Sequence, residues 1–72
     1  MAKVYVTFGN HMHTVNGKTF DKDCVAVIEC RDWSQGRYKA LQTFGSKFCF
    51  CYFEDEFKKE FLKYFSRGLI DV

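Results

Sequence analysis

The chain has no proline, only five glycines, no long apolar run and no block of like charge. Each lack excludes something. Without proline or glycine-rich stretches, little of the chain reads as linker or low-complexity tail. No N-terminal apolar stretch resembles a signal peptide and no run is long enough to span a bilayer, so a cytoplasmic location with no membrane partner is expected. The net charge is +2, with Lys and Arg scattered from Lys3 to Arg67. A dedicated nucleic-acid binder would gather its basic residues on one face, so nucleic acid is not the first expectation for a partner.

What the chain has in abundance is aromatic side chains. Nine Phe, four Tyr and one Trp in 72 residues make it 19% aromatic. A domain of this length buries only about 60% of its unfolded surface. It therefore needs a rich core, and each buried ring removes roughly 150–250 Å² from water. A single domain over residues 1–72 is expected. Of the four cysteines, Cys24 and Cys30 lie in an apolar strand pattern, and Cys49 and Cys51 alternate with Phe48, Phe50 and Tyr52. In a reducing compartment these read as buried free thiols ahead of disulfides or metal ligands.

Hydropathy patterning orders the elements. Val4, Val6 and Phe8 alternate with Lys3, Tyr5 and Thr7, the period of a half-buried strand. Asn16-Gly17 is a hairpin-turn signal, with Lys18 to Phe20 as a returning strand. Cys24 to Ile28 is a continuous apolar run with β-branched members, as in a central strand covered on both faces. Asp32 with Gln35 forms a capping box for a helix from Trp33 to Phe44, ended by Gly45. Its inner face carries Gly36, Arg37 (by its stem), Ala40, Leu41 and Phe44. Lys47 to Phe53 reads as a strand with Phe48, Phe50 and Tyr52 on one side. Glu54-Asp55-Glu56 opens a second helix whose stripe is Phe57, Phe61, Tyr64 and Phe65. Residues 69–72 offer a last short strand. The expected class is α+β: a small three- to four-stranded sheet with two helices packed on one face. The Asp23–Phe53 unit is either a parallel crossover or an antiparallel arrangement with the helix across one face.

No catalytic constellation emerges, and no cofactor is expected. The cysteines sit in strands, away from helix N-termini that would activate a thiol, and Gly9, Gly36 and Gly45 make no phosphate-cradling loop. His11 and His13 point the same way on an extended chain and, with a cysteine pair, would give a metal-stapled domain. However, Cys49 and Cys51 are separated by one residue, not the two of a zinc knuckle. A parallel crossover places Asp32, Glu54, Asp55 and Glu56 on one sheet edge as an acidic rim, beyond the capping each acid performs singly. These four acids with His11 and His13 are the candidate partner-binding residues. Phe48, Phe50 and Tyr52 offer an alternative, a base-stacking face. One uncovered face of Lys47–Phe53 would favour a homodimer.

Taken together, Val6-Thr7-Phe8-Gly9, His11 and His13, Asn16-Gly17, Val25 to Glu29, Gly36-Arg37, Ala40, Phe44-Gly45, Tyr64-Phe65 and Arg67-Gly68 give a pattern that resembles small phage and prophage accessory proteins of unknown function. The resemblance covers most of the chain and carries no active site with it. It implies a non-enzymatic accessory protein, acting in a host cytoplasm by binding a host protein. Inhibitors of bacterial defence, anti-CRISPR proteins among them, share this size and lack of enzymatic motifs.

Overall fold

The computed structural model describes residues 2–72. Six strands, one α-helix and one 3₁₀ helix follow in the order β1 (Ala2–Thr7), β2 (His13–Val15), β3 (Lys18–Phe20), β4 (Cys24–Cys30), α1 (Trp33–Phe44), β5 (Phe50–Phe53), the 3₁₀ helix (Lys59–Tyr64) and β6 (Gly68–Asp71). β5, β1, β4 and β6 form a mixed four-stranded sheet in that spatial order, and β2 and β3 form a separate hairpin. The class is therefore α+β, with four strands in the main sheet.

β1 runs antiparallel to both of its neighbours, pairing Val4 with Ile28 on one side and with Phe53 on the other. β4 and β5 consequently point the same way with β1 between them, so the parallel form of the Asp23–Phe53 crossover is the one adopted. β6 adds to the far side of β4 in parallel, setting Ile70 beside Ala26. β4 is thus the internal strand that its unbroken apolar run implies: Cys24 through Ile28 are all buried.

Strand alternation assigns the two faces. Val4, Val6, Cys24, Ala26, Ile28 and Cys30 face α1, joined by Phe53 and Cys51 from β5. The helix begins where expected. Asp32 accepts from the Gln35 N–H at 2.8 Å, and the Gln35 side chain returns to the Arg31 N–H at 2.7 Å. Gly36, Ala40 and Phe44 are its buried residues. Arg37 and Leu41, expected on the inner face, are exposed instead. Gly36 lets the helix sit close, since a methyl there would run into Val4 and come within 2.9 Å of the Cys30 sulfur. The β2–β3 hairpin turns through Asn16 and Gly17, both at positive φ. It closes the end of this layer, where Phe44 meets Phe8 and Phe20 edge to face at 4.8 and 5.4 Å and Phe8 lies tilted against Phe20 at 5.7 Å.

The second half departs from expectation in two ways. The stretch Glu54–Phe65 is not an α-helix: Glu54, Asp55 and Glu56 form a turn in which Glu56 and Phe57 both donate to the Phe53 carbonyl. Only Lys59–Tyr64 is helical, and it is 3₁₀. Glu54, Asp55 and Glu56 therefore lie ahead of the helix and not in its first turn, with all three exposed. Lys58, which has no acceptor on its side chain, stands at the helix start with no side-chain cap. The paired spacing of Glu54 with Lys58 and of Asp55 with Lys59 therefore has no helix to act on. This segment also does not share a face with α1. Phe57 stacks on Tyr5 at 4.6 Å, and Tyr5 projects from the opposite side of β1 to Val4 and Val6. The sheet is covered on both faces, by a regular helix on one and by an irregular aromatic segment on the other.

Candidate interaction surface

The second face holds the site. Tyr5 and Tyr52 stand on adjacent strands in direct register. Phe57 packs on both, and Phe61 follows at 5.7 Å from Phe57 and 6.4 Å from Tyr52. This chain of rings covers Tyr5 and Tyr52 in the middle of the face, where Val25 and Val27 of β4 are also buried. It does not reach the end of the sheet where β1 finishes and β5 begins. There a concavity of about 330 Å³ opens, lined by Phe50, Tyr52, Phe57, Phe61, Tyr64 and Phe65, with Thr7 and Gly9 at its floor and Lys22 and Cys49 beside it. Phe50 keeps 58% and Tyr64 68% of its surface in water. Large rings so exposed and so concentrated are what protein contact surfaces carry at their centres.

A second concavity, about 470 Å³, lies between the end of β4, β6 and α1. Its walls are polar, and its one nearby ammonium, Lys39, already donates to the Glu29 carbonyl at 2.9 Å. It offers water-competed groups and little apolar area, so the aromatic groove is the stronger candidate.

The acidic rim is present as geometry. Because β4 and β5 run the same way, Asp32 and the Glu54–Glu56 turn leave the sheet at one end, marked by the edge-to-face contact of Trp33 with Phe53 at 6.2 Å. Asp32, Glu54, Asp55 and Glu56 are all exposed. The salt bridge found among the described residues lies elsewhere, between Arg67 and Asp21 at 3.2 Å, tying β6 to the loop before β4.

His11 and His13 part company. His11 lies exposed in the turn after β1, its N–H donating to the Phe8 carbonyl at 3.0 Å. His13 is half-buried on β2 against Phe8 and Phe44, and its Nε2 pairs with the Lys47 carbonyl. His13 therefore ties the hairpin to the loop leading into β5. Among the described residues no group of three or more His, Cys, Asp or Glu side chains could hold a metal ion.

All four cysteines are free thiols, but only Cys24 and Cys30 are buried as expected; Cys51 is half-buried and Cys49, just ahead of β5, is exposed. Burial pushes the Cys24 and Cys30 thiols above their ordinary value, and burial raises Cys51 against a partial opposing pull from Arg37. A raised thiol is a poor nucleophile at neutral pH.

The sequence pattern also mis-set one ring. Phe48 precedes the strand and packs with the core on the α1 side, away from Phe50 and Tyr52. Cys49 donates to Thr7, one residue out of step with the β5–β1 register, and this offset separates Phe48 from the alternation that follows. Lys22, Tyr64 and Phe65 were not legible as partners of Phe50, because the topology that brings them together is non-local. No known protein family, no curated protein and no solved structure matches this chain.

Proposed function

We propose that the protein is a non-catalytic protein-binding module, a phage-type accessory factor that engages a host protein, with a component of bacterial defence such as CRISPR as its target class. The aromatic groove carries this reading. A chain short of core material leaves Phe50 and Tyr64 largely in water beside a preformed apolar concavity, where an apolar side chain of a partner would be desolvated at the centre of an interface. The exposed acids Asp32, Glu54, Asp55 and Glu56 favour a partner with a basic surface and raise its rate of encounter. The resemblance to small phage proteins supplies the cellular context.

The test is affinity capture from bacterial lysate with nuclease present, run beside a Phe50→Ala/Tyr64→Ala double variant. A partner retained by the parent and lost from the variant supports the proposal. A partner retained equally by both moves the site off the groove, and no nuclease-resistant partner removes the reading.

One observation favours a second reading. Lys22 lines the same groove as Phe50 and Tyr64, the pairing of cation and stacking ring that holds single-stranded nucleic acid. It predicts oligonucleotide binding that weakens steeply with salt; an unchanged anisotropy at low salt with single-stranded probes ends it.

A further inference from the structure

The two outer edges of the main sheet are finished differently. At β6 the edge is blunted: the Lys18 ammonium donates to the Asp71 carbonyl at 2.8 Å, and Asp71 itself sits on the strand. At β5 the strand reads Phe-Cys-Tyr-Phe, with no charge, no proline and no covering element hydrogen-bonded to it among the described residues. Edge strands that lack these devices are templates for strand addition.

The backbone of β5 shows which groups are free. The Phe53 carbonyl turns away from β1, because it accepts from Glu56 and Phe57. Along an antiparallel strand the direction alternates by residue, so Cys51 presents its N–H and carbonyl on that same outer side. The Phe53 N–H points outward as well. Cys49 donates its own N–H inward, to Thr7.

We infer that β5 pairs with β5 of a second copy, antiparallel about a two-fold axis centred on Cys51, to form a continuous eight-stranded sheet. A two-fold axis normal to the sheet keeps each face on its own side, so residues pair only with partners of the same face. Centring on Cys51 gives reciprocal bonds between the two Cys51 residues and leads the Phe53 N–H of each copy to the Cys49 carbonyl of the other. The Phe53 carbonyl, already used by the turn, is not needed. Phe50 of each copy falls beside Tyr52 of the other, an aromatic cross-strand pair made twice.

Charge selects a second copy as the occupant. Antiparallel pairing brings Lys47, at the entrance to β5, toward the partner's Glu54–Glu56 turn at its exit. Lys47, Glu54, Asp55 and Glu56 are all exposed, and the contact is made twice by symmetry. A parallel pairing would set the acidic turns of the two copies against each other.

The inference shares Phe50, Tyr52 and the Glu54–Glu56 acids with the groove-binding proposal but rests on the free backbone of β5, so self-association of the purified chain and amide exchange at Cys51 test it independently of any host partner. Light scattering across a dilution series tests it, with circular dichroism to confirm folding. The mass is expected to rise from that of one chain, 8.5 kDa, toward that of two. Amide exchange at Cys51 and Phe53 is expected to slow as the dimer fills. Lys47→Glu should weaken the dimer about tenfold by turning two attractions into repulsions, and adding Asp55→Lys should restore it. A folded chain that stays monomeric at near-millimolar concentration overturns the inference. So does a dimer that ignores both charge variants and leaves Cys51 exchange unchanged.

Discussion

The two faces of the main sheet are built from the same four strands and finished by opposite means. On one, a twelve-residue helix brings Gly36 down onto Val4 and Cys30, and the β1 and β4 residues beneath it are buried, with Cys51 and Phe53 half-buried on β5. On the other, the cover is a turn and a 3₁₀ helix with no buried residue of its own, reaching the sheet through large rings. Close backbone approach needs small side chains and seals closely. Cover by rings fills the space between widely separated backbones but leaves gaps wherever the segment is too short. Here the gap is the groove at Phe50 and Tyr64. The comparison suggests a division of labour: the helical face holds the stability, and the aromatic face holds the surface that can be given to a partner.

If so, damage to the helical face should be the most costly. Phe8 is fully buried where the hairpin, α1 and the sheet meet, in contact with Phe20, Phe44 and His13. Phe8→Ala should destabilise by about 3–5 kcal/mol, through lost transfer energy and the cavity left behind. In a 72-residue domain this is a large share of the total. Urea denaturation checks it; a loss below about 1 kcal/mol would mean that the helical face does not dominate.

Gly36→Ala probes the same face from the opposite direction, by adding atoms. The new methyl collides with Val4 and the Cys30 sulfur, one on each of the two central strands, and neither can move without displacing the sheet. The helix-propensity gain of about 1 kcal/mol favours the variant, while overpacking opposes it by about 1–3 kcal/mol. A net loss of up to about 2 kcal/mol is expected. A gain in melting temperature would show that the approach of α1 is looser than described.

How much of this contrast the sequence carried follows from the range of the signals. The helical face was legible because its signals are local: Asp32 and Gln35 mark the start of α1, Gly45 its end, and Gly36 and Ala40 its close contact. The unbroken run from Cys24 to Ile28 correctly placed β4 inside the sheet. On the aromatic face the same kind of reading failed. Phe57, Phe61, Tyr64 and Phe65 keep helical spacing, yet Phe57 packs on Tyr52 and on Tyr5, which is far away in the chain, and Phe61 packs on Tyr52, while Tyr64 stays largely in water. Docking against Tyr5 and Tyr52, with the backbone turned at Glu54–Glu56 by bonds to the Phe53 carbonyl, outweighed the helical period. Local patterning left the direction of the Asp23–Phe53 crossover open; pairing of both strands with β1 makes it parallel, which sets Asp32 and the Glu54–Glu56 turn at one end of the sheet. The divergence of His11 and His13 was not legible, because it depends on Phe8 and Phe44 closing around one imidazole and not the other.

The thiols distinguish the faces chemically. Cys24 and Cys30 lie under α1 with thiols raised by burial, whereas Cys49 is exposed beside the groove. A thiol reagent at neutral pH should modify Cys49 at once, and Cys24 and Cys30 only as fast as the chain unfolds. Linkage gives the matching pH effect. A thiol whose folded-state value lies above its unfolded value contributes stability that is fully present below about pH 9 and is lost as the pH rises further. The alkaline fall in unfolding free energy should be shallower in a Cys24→Ala/Cys30→Ala variant, whatever its stability at neutral pH. Equal slopes would place those thiols in a wetter setting than the helical face allows.

The smallest expected effect on stability is at Phe50, and it decides whether the division holds. Its ring touches Tyr52 at 5.8 Å but is mostly in water, so Phe50→Ala removes little area that folding had buried. The change should be within about 0.5 kcal/mol, the range of ordinary surface substitutions. A phenylalanine that the fold does not use is costly to keep exposed in a small chain, since it invites aggregation. Its exposure is therefore best accounted for by contact with another molecule. The variant should melt like the parent and lose partner capture, or dimer, or both. Should Phe50→Ala instead destabilise as strongly as Gly36→Ala, Phe50 would belong to the core and the groove would be a packing defect with no surface to offer.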